Sequence, residues 1–103
     1  MKVISGKFKG RNINFSNKNY NNAETTPGML KGALFSIIGE DLSGKSFLDL
    51  YSCSGQIGIE ALSRNAKLVV FNETDKKRLN FIKNTLKEWN IIDNFIIYNL
   101  SAE

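Results

Sequence analysis

The 103-residue chain has no histidine, one cysteine and one proline. Without histidine there is no imidazole acid or base and no Ser-His-Asp triad. One cysteine cannot close an internal disulfide, and with no His/Cys cluster a structural zinc site is excluded. Disulfide-free usage fits a reduced, cytoplasmic setting. No apolar run approaches the roughly 18 residues of a membrane helix. The basic start MKVISGKFKG has no apolar segment after it, so no secretory signal is expected.

What is present suits one α/β domain. Hydrophobic residues make up 42% and aromatics 11% of the chain, enough to build a core. The formal net charge is +4, and it is unevenly placed. Residues 1–23 hold Lys2, Lys7, Lys9, Arg11 and Lys18 and no acid, whereas the other 80 residues carry 9 basic and 10 acidic groups. Phe8, Phe15 and Tyr20 lie among those charges. A basic arm carrying aromatics, on a near-neutral body, suits a polyanion such as RNA, with Lys7, Lys9 and Arg11 as candidate contacts. A solubilised surface hairpin is the plainer alternative.

Two short strands around Val3–Phe8 and Asn12–Phe15 are expected to form that arm, joined through a glycine turn. The arm is taken as residues 1–24 and the body as 25–103. Thr25, Thr26 and Pro27 read as a helix start. Met29, Leu30, Ala33, Leu34, Ile37 and Ile38 follow at helical spacing, and Gly39 stops the helix. Apolar strands are expected over 46–51, 67–72 and 95–100. Helices are expected over 56–64, with Ile57, Ala61 and Leu62 inward, and over 75–89, with Leu79, Ile82, Leu86 and Trp89 on one face. Strand, helix, strand, helix, strand implies parallel strands with right-handed crossovers, half of a doubly wound sheet.

Ligands of such sheets sit beyond the C-terminal strand ends. Asp49 stands near the end of the first strand, before the small-residue loop Ser52-Cys53-Ser54-Gly55. Gly55 and Gly58 bracket the junction between loop and helix. Glu73 closes the second strand 22 residues after Tyr51, where an acid can accept from ribose hydroxyls. The stretch CSGQIG lacks the first glycine of a dinucleotide fingerprint. Asp49 would repel a pyrophosphate and attract a cationic amino-acid moiety, which favours S-adenosylmethionine over NAD. In the plainer alternatives Asp49 caps the loop and Glu73 is a helix-start acid beside Asp75. Cys53 reads as a small packed residue, Trp89 as a core anchor, and Met29 and Leu30 as core.

The sequences MKVISGKFKGR and Ala33-Leu34-Phe35, the loop LDLYSCSG followed by GIEALSR, and Val69-Val70-Phe71 before Glu73 resemble the RsmD family. The likeness spans nearly the whole chain. These are bacterial methyltransferases acting on a guanine N2 of 16S ribosomal RNA with S-adenosylmethionine. The resemblance implies a partial class I methyltransferase, Rossmann-like parallel sheet with an N-terminal β-hairpin that contacts RNA. It implies a cofactor site of Asp49, Ser54, Gly55, Gly58 and Glu73, a 16S rRNA or small-subunit partner, and neither a metal nor a membrane.

The departures are specific. Cys53 replaces a usual glycine, Glu24-Thr25-Thr26 an Arg-Pro-Thr stretch, and Ser101 an Asp. Gly28 and Gly32 stand where charged residues are common. The Asn/Asp-Pro-Pro-aromatic motif that receives the target amine is absent, so no catalytic residue is assigned and little or no transfer by this chain alone is expected. A non-catalytic RNA-binding relic is the competing reading, and a small-molecule methyltransferase a weaker third. The first strand is expected at an open sheet edge, with apolar surface exposed.

Overall fold

The structure, a computed structural model, describes residues 2–13, 28–50, 52 and 54–100. Phe15, Tyr20, Glu24 to Pro27, Tyr51, Cys53 and Ser101 lie outside the described residues, as do the side chains of Met29 and Leu30. The expectations placed on them lie there too.

Helix α1 (Gly28–Ile38) precedes β1 (Ser46–Asp49), α2 (Gln56–Ser63), β2 (Leu68–Asn72), α3 (Lys76–Glu88) and β3 (Phe95–Tyr98). The three strands are parallel in the order β1-β2-β3. The α/β alternation read from the sequence is therefore the fold, and among the described residues β1 stands at the sheet edge as expected.

Register sorts the strand residues into two faces. Phe47, Val69 and Phe95 form one row, with Asp49, Phe71 and Ile97 in the next row on the same side. That side meets Ile59 of α2 and Ile82 and Leu86 of α3 in the core. Gly58 fixes how closely α2 approaches. A Cβ there would lie 2.3 Å from the Phe71 ring, so any larger residue drives helix and sheet apart. The opposite row, Leu48, Val70 and Ile96, carries no helix among the described residues, and Leu48 is 62% exposed.

Asp75 caps α3 by accepting from the Arg78 N–H at 3.0 Å. Leu79, Ile82 and Leu86 are buried as the spacing predicts, and Trp89 packs partly buried against the core. Helix α1 departs from expectation. Ala33 is exposed and Ile37 is 85% exposed, while Phe35 and Lys31 are fully buried. The reason is an ion pair that the apolar pattern could not show. Lys31 Nζ lies 3.1 Å from Glu60 Oε1 and donates to the Lys2 carbonyl at 2.9 Å. This turns the helix about its axis toward α2.

Among the described residues, 2–13, the arm is a compact reversal; residues 14 and 15 of the expected second strand lie outside them. One antiparallel bridge, Lys2 to Asn12, is present, flanked by Val3 N–H to Arg11 O at 2.9 Å and Gly10 N–H to Val3 O at 2.9 Å. Helix α2 supplies further bonds. Glu60 accepts from the Ile4 N–H at 2.9 Å and the Ser5 N–H at 3.1 Å. Ser63 Oγ donates to Ser5 O and accepts from the Phe8 N–H, and Ser63 O accepts from the Lys7 N–H. Gly6, at φ 91°, lies so close to Ser63 O that a Cβ would overlap it.

Candidate functional site

The C-terminal ends of β1 and β2 are tied together by side chains. Ser52 Oγ donates to Asp49 O at 3.0 Å and accepts from the Asn72 N–H at 3.1 Å. Asn72 Nδ2 donates to Leu50 O at 3.2 Å and Leu100 O at 2.9 Å, and its Oδ1 accepts from the Leu100 N–H. Asn72 thus spans the chain beyond all three strands. Pattern reading gave it no such role, because a polar residue ending an apolar run reads only as a boundary.

Asp49 faces α2 from the end of β1. Gly55, at φ 83°, begins that helix without a side-chain cap. The Gly58 N–H instead donates to the Asp49 carboxylate. Part of the capping alternative for Asp49 is therefore realised, with α2 as the capped element. Its Oδ2 has no hydrogen-bond partner among the described residues although it is buried. Burial pushes the carboxyl up to about 6; the Gly58 N–H and the Ser52 hydroxyl pull it down, and the charge of Glu73 adds to the rise. That last effect places the two carboxylates within electrostatic reach of each other.

Glu73 follows β2 and is buried. Its Oε2 accepts from the Asp75 N–H at 2.9 Å, and Asn99 Nδ2 holds its carbonyl at 2.7 Å. Glu73 thereby does some of the local work of a helix-start acid, though Asp75 is the cap itself. Two further buried atoms lack partners among the described residues, Ser54 Oγ and Gln56 Oε1. Gln56, the first residue of α2, was not singled out by sequence reasoning; only its place after Gly55 could have drawn notice.

Unpartnered buried polar atoms are costly. Here a carboxylate oxygen, a hydroxyl and an amide oxygen belong to residues along the stretch that leads from β1 into α2. This set accepts from an ammonium and repels a phosphate, so the residues present fit an amino-acid moiety. Among the described residues no group of three or more His, Cys, Asp or Glu is placed to hold a metal ion, and no helix is long and apolar enough to cross a membrane.

The arm residues gather elsewhere. Lys7, Lys9 and Arg11 are exposed. The Arg11 guanidinium lies 5.2 Å from the Phe8 ring centre and 5.4 Å from that of Trp89, and the two rings are 5.6 Å apart. Trp89 is thus core on one side and an arm contact on the other. Glu60, Ser63 and Arg64, the polar members of GIEALSR, all lie away from the strand ends. Arg64 Nε donates to Glu60 Oε2 at 2.9 Å and its Nη1 to Gly39 O at 3.0 Å.

Known proteins are similar to this chain in sequence and fold. Ribosomal RNA small subunit methyltransferase D of Buchnera aphidicola (strain APS) is 37% identical over 95 residues, covering 92% of this chain and 49% of its own. The YlbH protein of Bacillus subtilis is 35% identical over 105 residues, covering 100% and 55%. The yhhF structure of Escherichia coli superposes with a TM-score of 0.81 over 99% of this chain and 53% of its own, at 22% identity, which speaks for the fold. The chain spans about half the length of these relatives. A family model described as conserved hypothetical protein 95 matches residues 1–103, and with the sheet and these likenesses the chain belongs to that family, the RsmD methyltransferases.

Proposed function

We propose that this chain forms the S-adenosylmethionine-binding half of an rRNA methyltransferase of the RsmD type, whose target is a guanine N2 of 16S rRNA. The observation that carries the reading is Asp49. Its half-buried carboxylate stands at a parallel strand end, with one buried oxygen unpartnered among the described residues. Asp49 and Ser54 would accept from the amino group of the methionine end. Gly55 keeps the loop free of a side chain, Gly58 aims its N–H at Asp49, and Glu73 would accept from the ribose. The cofactor, when bound, supplies a methyl group activated on a sulfonium. The protein's part is to bind and orient it.

Lys7, Lys9 and Arg11 would meet the RNA backbone from an arm held rigid by α2. Guanine's exocyclic amine is a poor nucleophile and needs an acceptor aligned with the methyl group, and this sequence carries no Asn/Asp-Pro-Pro-aromatic motif to provide one. We therefore assign cofactor and RNA binding to this chain and no catalytic residue.

Thermal unfolding distinguishes the cofactor classes. S-adenosylhomocysteine at 100 times its Kd should stabilise by about 2.7 kcal/mol, a rise of roughly 10–20 °C at this size, with NAD ineffective. Stabilisation by NAD alone would replace the methyl-donor reading. No shift with either, alongside RNA binding, would favour the non-catalytic RNA-binding alternative.

A further inference from the structure

Arg11 carries a charge that the fold leaves available. Among the described residues no carboxylate pairs with its guanidinium; the ion pairs they form are those of Lys31 and Arg64 with Glu60. The guanidinium lies instead over two rings at once, Phe8 and Trp89, and is exposed. Both rings are half-buried and pack against the core. A planar cation over paired rings is a surface on which unpaired nucleobases stack.

Beside it the turn between α3 and β3 walls a cavity of about 110 Å³, whose lining includes Lys7, Phe8, Asn90, Asp93 and Asn94. The backbone fixes that turn. Asn90 and Asn94 take left-handed φ of 58° and 69°, which asparagine tolerates. The Ile91 N–H donates to Leu86 O at 2.9 Å, and Asn94 O accepts from the Val69 N–H at 2.8 Å. The carboxamides both donate and accept, as a base edge requires. Asp93 repels phosphate. A nucleotide entering here therefore turns its base inward and its phosphates outward, where the amines of Lys7 and Lys9 are exposed.

This cluster stands apart from the candidate cofactor site. The Lys7 N–H bonds to the last residue of α2, Trp89 caps the C-terminus of α3, and Asn94 immediately precedes β3. These are the ends at which strands begin, whereas Asp49 and Glu73 stand where β1 and β2 finish. The five residues of β2 put about 16 Å between the two ends.

We propose that Phe8, Arg11 and Trp89, with the cavity beside Phe8, hold an unpaired nucleotide of single-stranded RNA by stacking. The nucleotide held there is an anchor, not the one that receives a methyl group. The proposal deepens the reading of the arm as an RNA contact and rests on it: Arg11 supplies a plane as well as a charge.

Trp89 is the chain's only tryptophan, so its fluorescence reports on this site alone. The test titrates the full chain with short oligouridylate and with an abasic ribose-phosphate strand of equal length and charge. Oligouridylate should quench Trp89. The abasic strand should bind roughly tenfold more weakly without quenching, the low end of what one stacked base contributes. R11K keeps the charge and loses the plane; it should bring oligouridylate down to the abasic level with unchanged far-ultraviolet circular dichroism. Equal binding of both strands to the unaltered chain would overturn the proposal and leave the arm as a phosphate contact. Binding of neither would overturn both readings. Full quenching and affinity in R11K would show that Arg11 acts by charge alone. Equal quenching by poly-glutamate would assign the face to an acidic peptide instead.

Discussion

Asp49 is half-buried and Glu60 fully buried, and their environments drive the two acids in opposite directions. Burial dominates at Asp49 and raises its carboxyl to about 6. Burial also acts on Glu60, but the Ile4 N–H, Arg64 and Lys31 overcome it and hold that carboxyl below its ordinary value. The consequences for stability have opposite signs. Ionising Asp49 costs the folded state more than the unfolded chain, so its contribution is favourable below pH 4 and fades as pH rises through about 6. Glu60 stabilises at neutral pH, and this is lost as pH falls through its lowered value. Asp49→Asn should therefore raise stability at pH 7.5 by about 1–2 kcal/mol, with little gain at pH 4. Urea unfolding at both pH values checks this, and a variant less stable at pH 7.5 would mean that the Gly58 N–H bond outweighs desolvation.

At the scale of elements, α2 holds the molecule together. Its Glu60 joins Lys31 of α1, Arg64 and the backbone of the arm. Removing one partner of a buried ion pair typically costs 3–5 kcal/mol, and Glu60→Ala should fall in that range by chemical denaturation. A cost below 1 kcal/mol would show that the triad is dispensable. The arm's function should be separable from its anchoring. Replacing Lys7, Lys9 and Arg11 with glutamine should lower the slope of log affinity against log salt for an rRNA fragment by about 2, near 0.7 per lost phosphate contact. An unchanged slope would remove the arm from the RNA interface.

The strands and α3 were legible because their apolar spacing is unambiguous; Leu79, Ile82 and Leu86 face inward as that spacing requires. The facing of α1 was not. A buried Lys31 defeats any apolar periodicity, and its reason for burial, Glu60, lies 29 residues away in sequence. The anchoring of the arm was not legible for a related reason: among its described residues, the backbone of Ile4, Ser5, Lys7 and Phe8 bonds to Glu60 and Ser63, which no local pattern shows.

For the whole molecule, alternation of strand and helix sufficed to give parallel order and, among the described residues, the β1 edge. It did not show Ser52 and Asn72 lacing the strand ends together, nor Gln56 joining the unpartnered atoms, because these are contacts between segments. The resemblance to the RsmD family was carried by LDLYSCSG and GIEALSR. The structure divides their labour: the first supplies Asp49, Ser54 and Gly55 at the strand ends, and the second clasps the arm. Gly58 belongs to both, fixing the helix against Phe71 and offering its N–H to Asp49.

The claim on which the functional reading rests is that Asp49 and Glu73 together hold a cationic, ribose-bearing ligand. Isothermal titration of S-adenosylhomocysteine into the chain at pH 7.5 measures it, with Asp49→Asn and Glu73→Gln as the comparison. Micromolar binding that weakens at least tenfold in each variant is the predicted result. A ligand that binds all three proteins alike, or does not bind the unaltered chain, would contradict it.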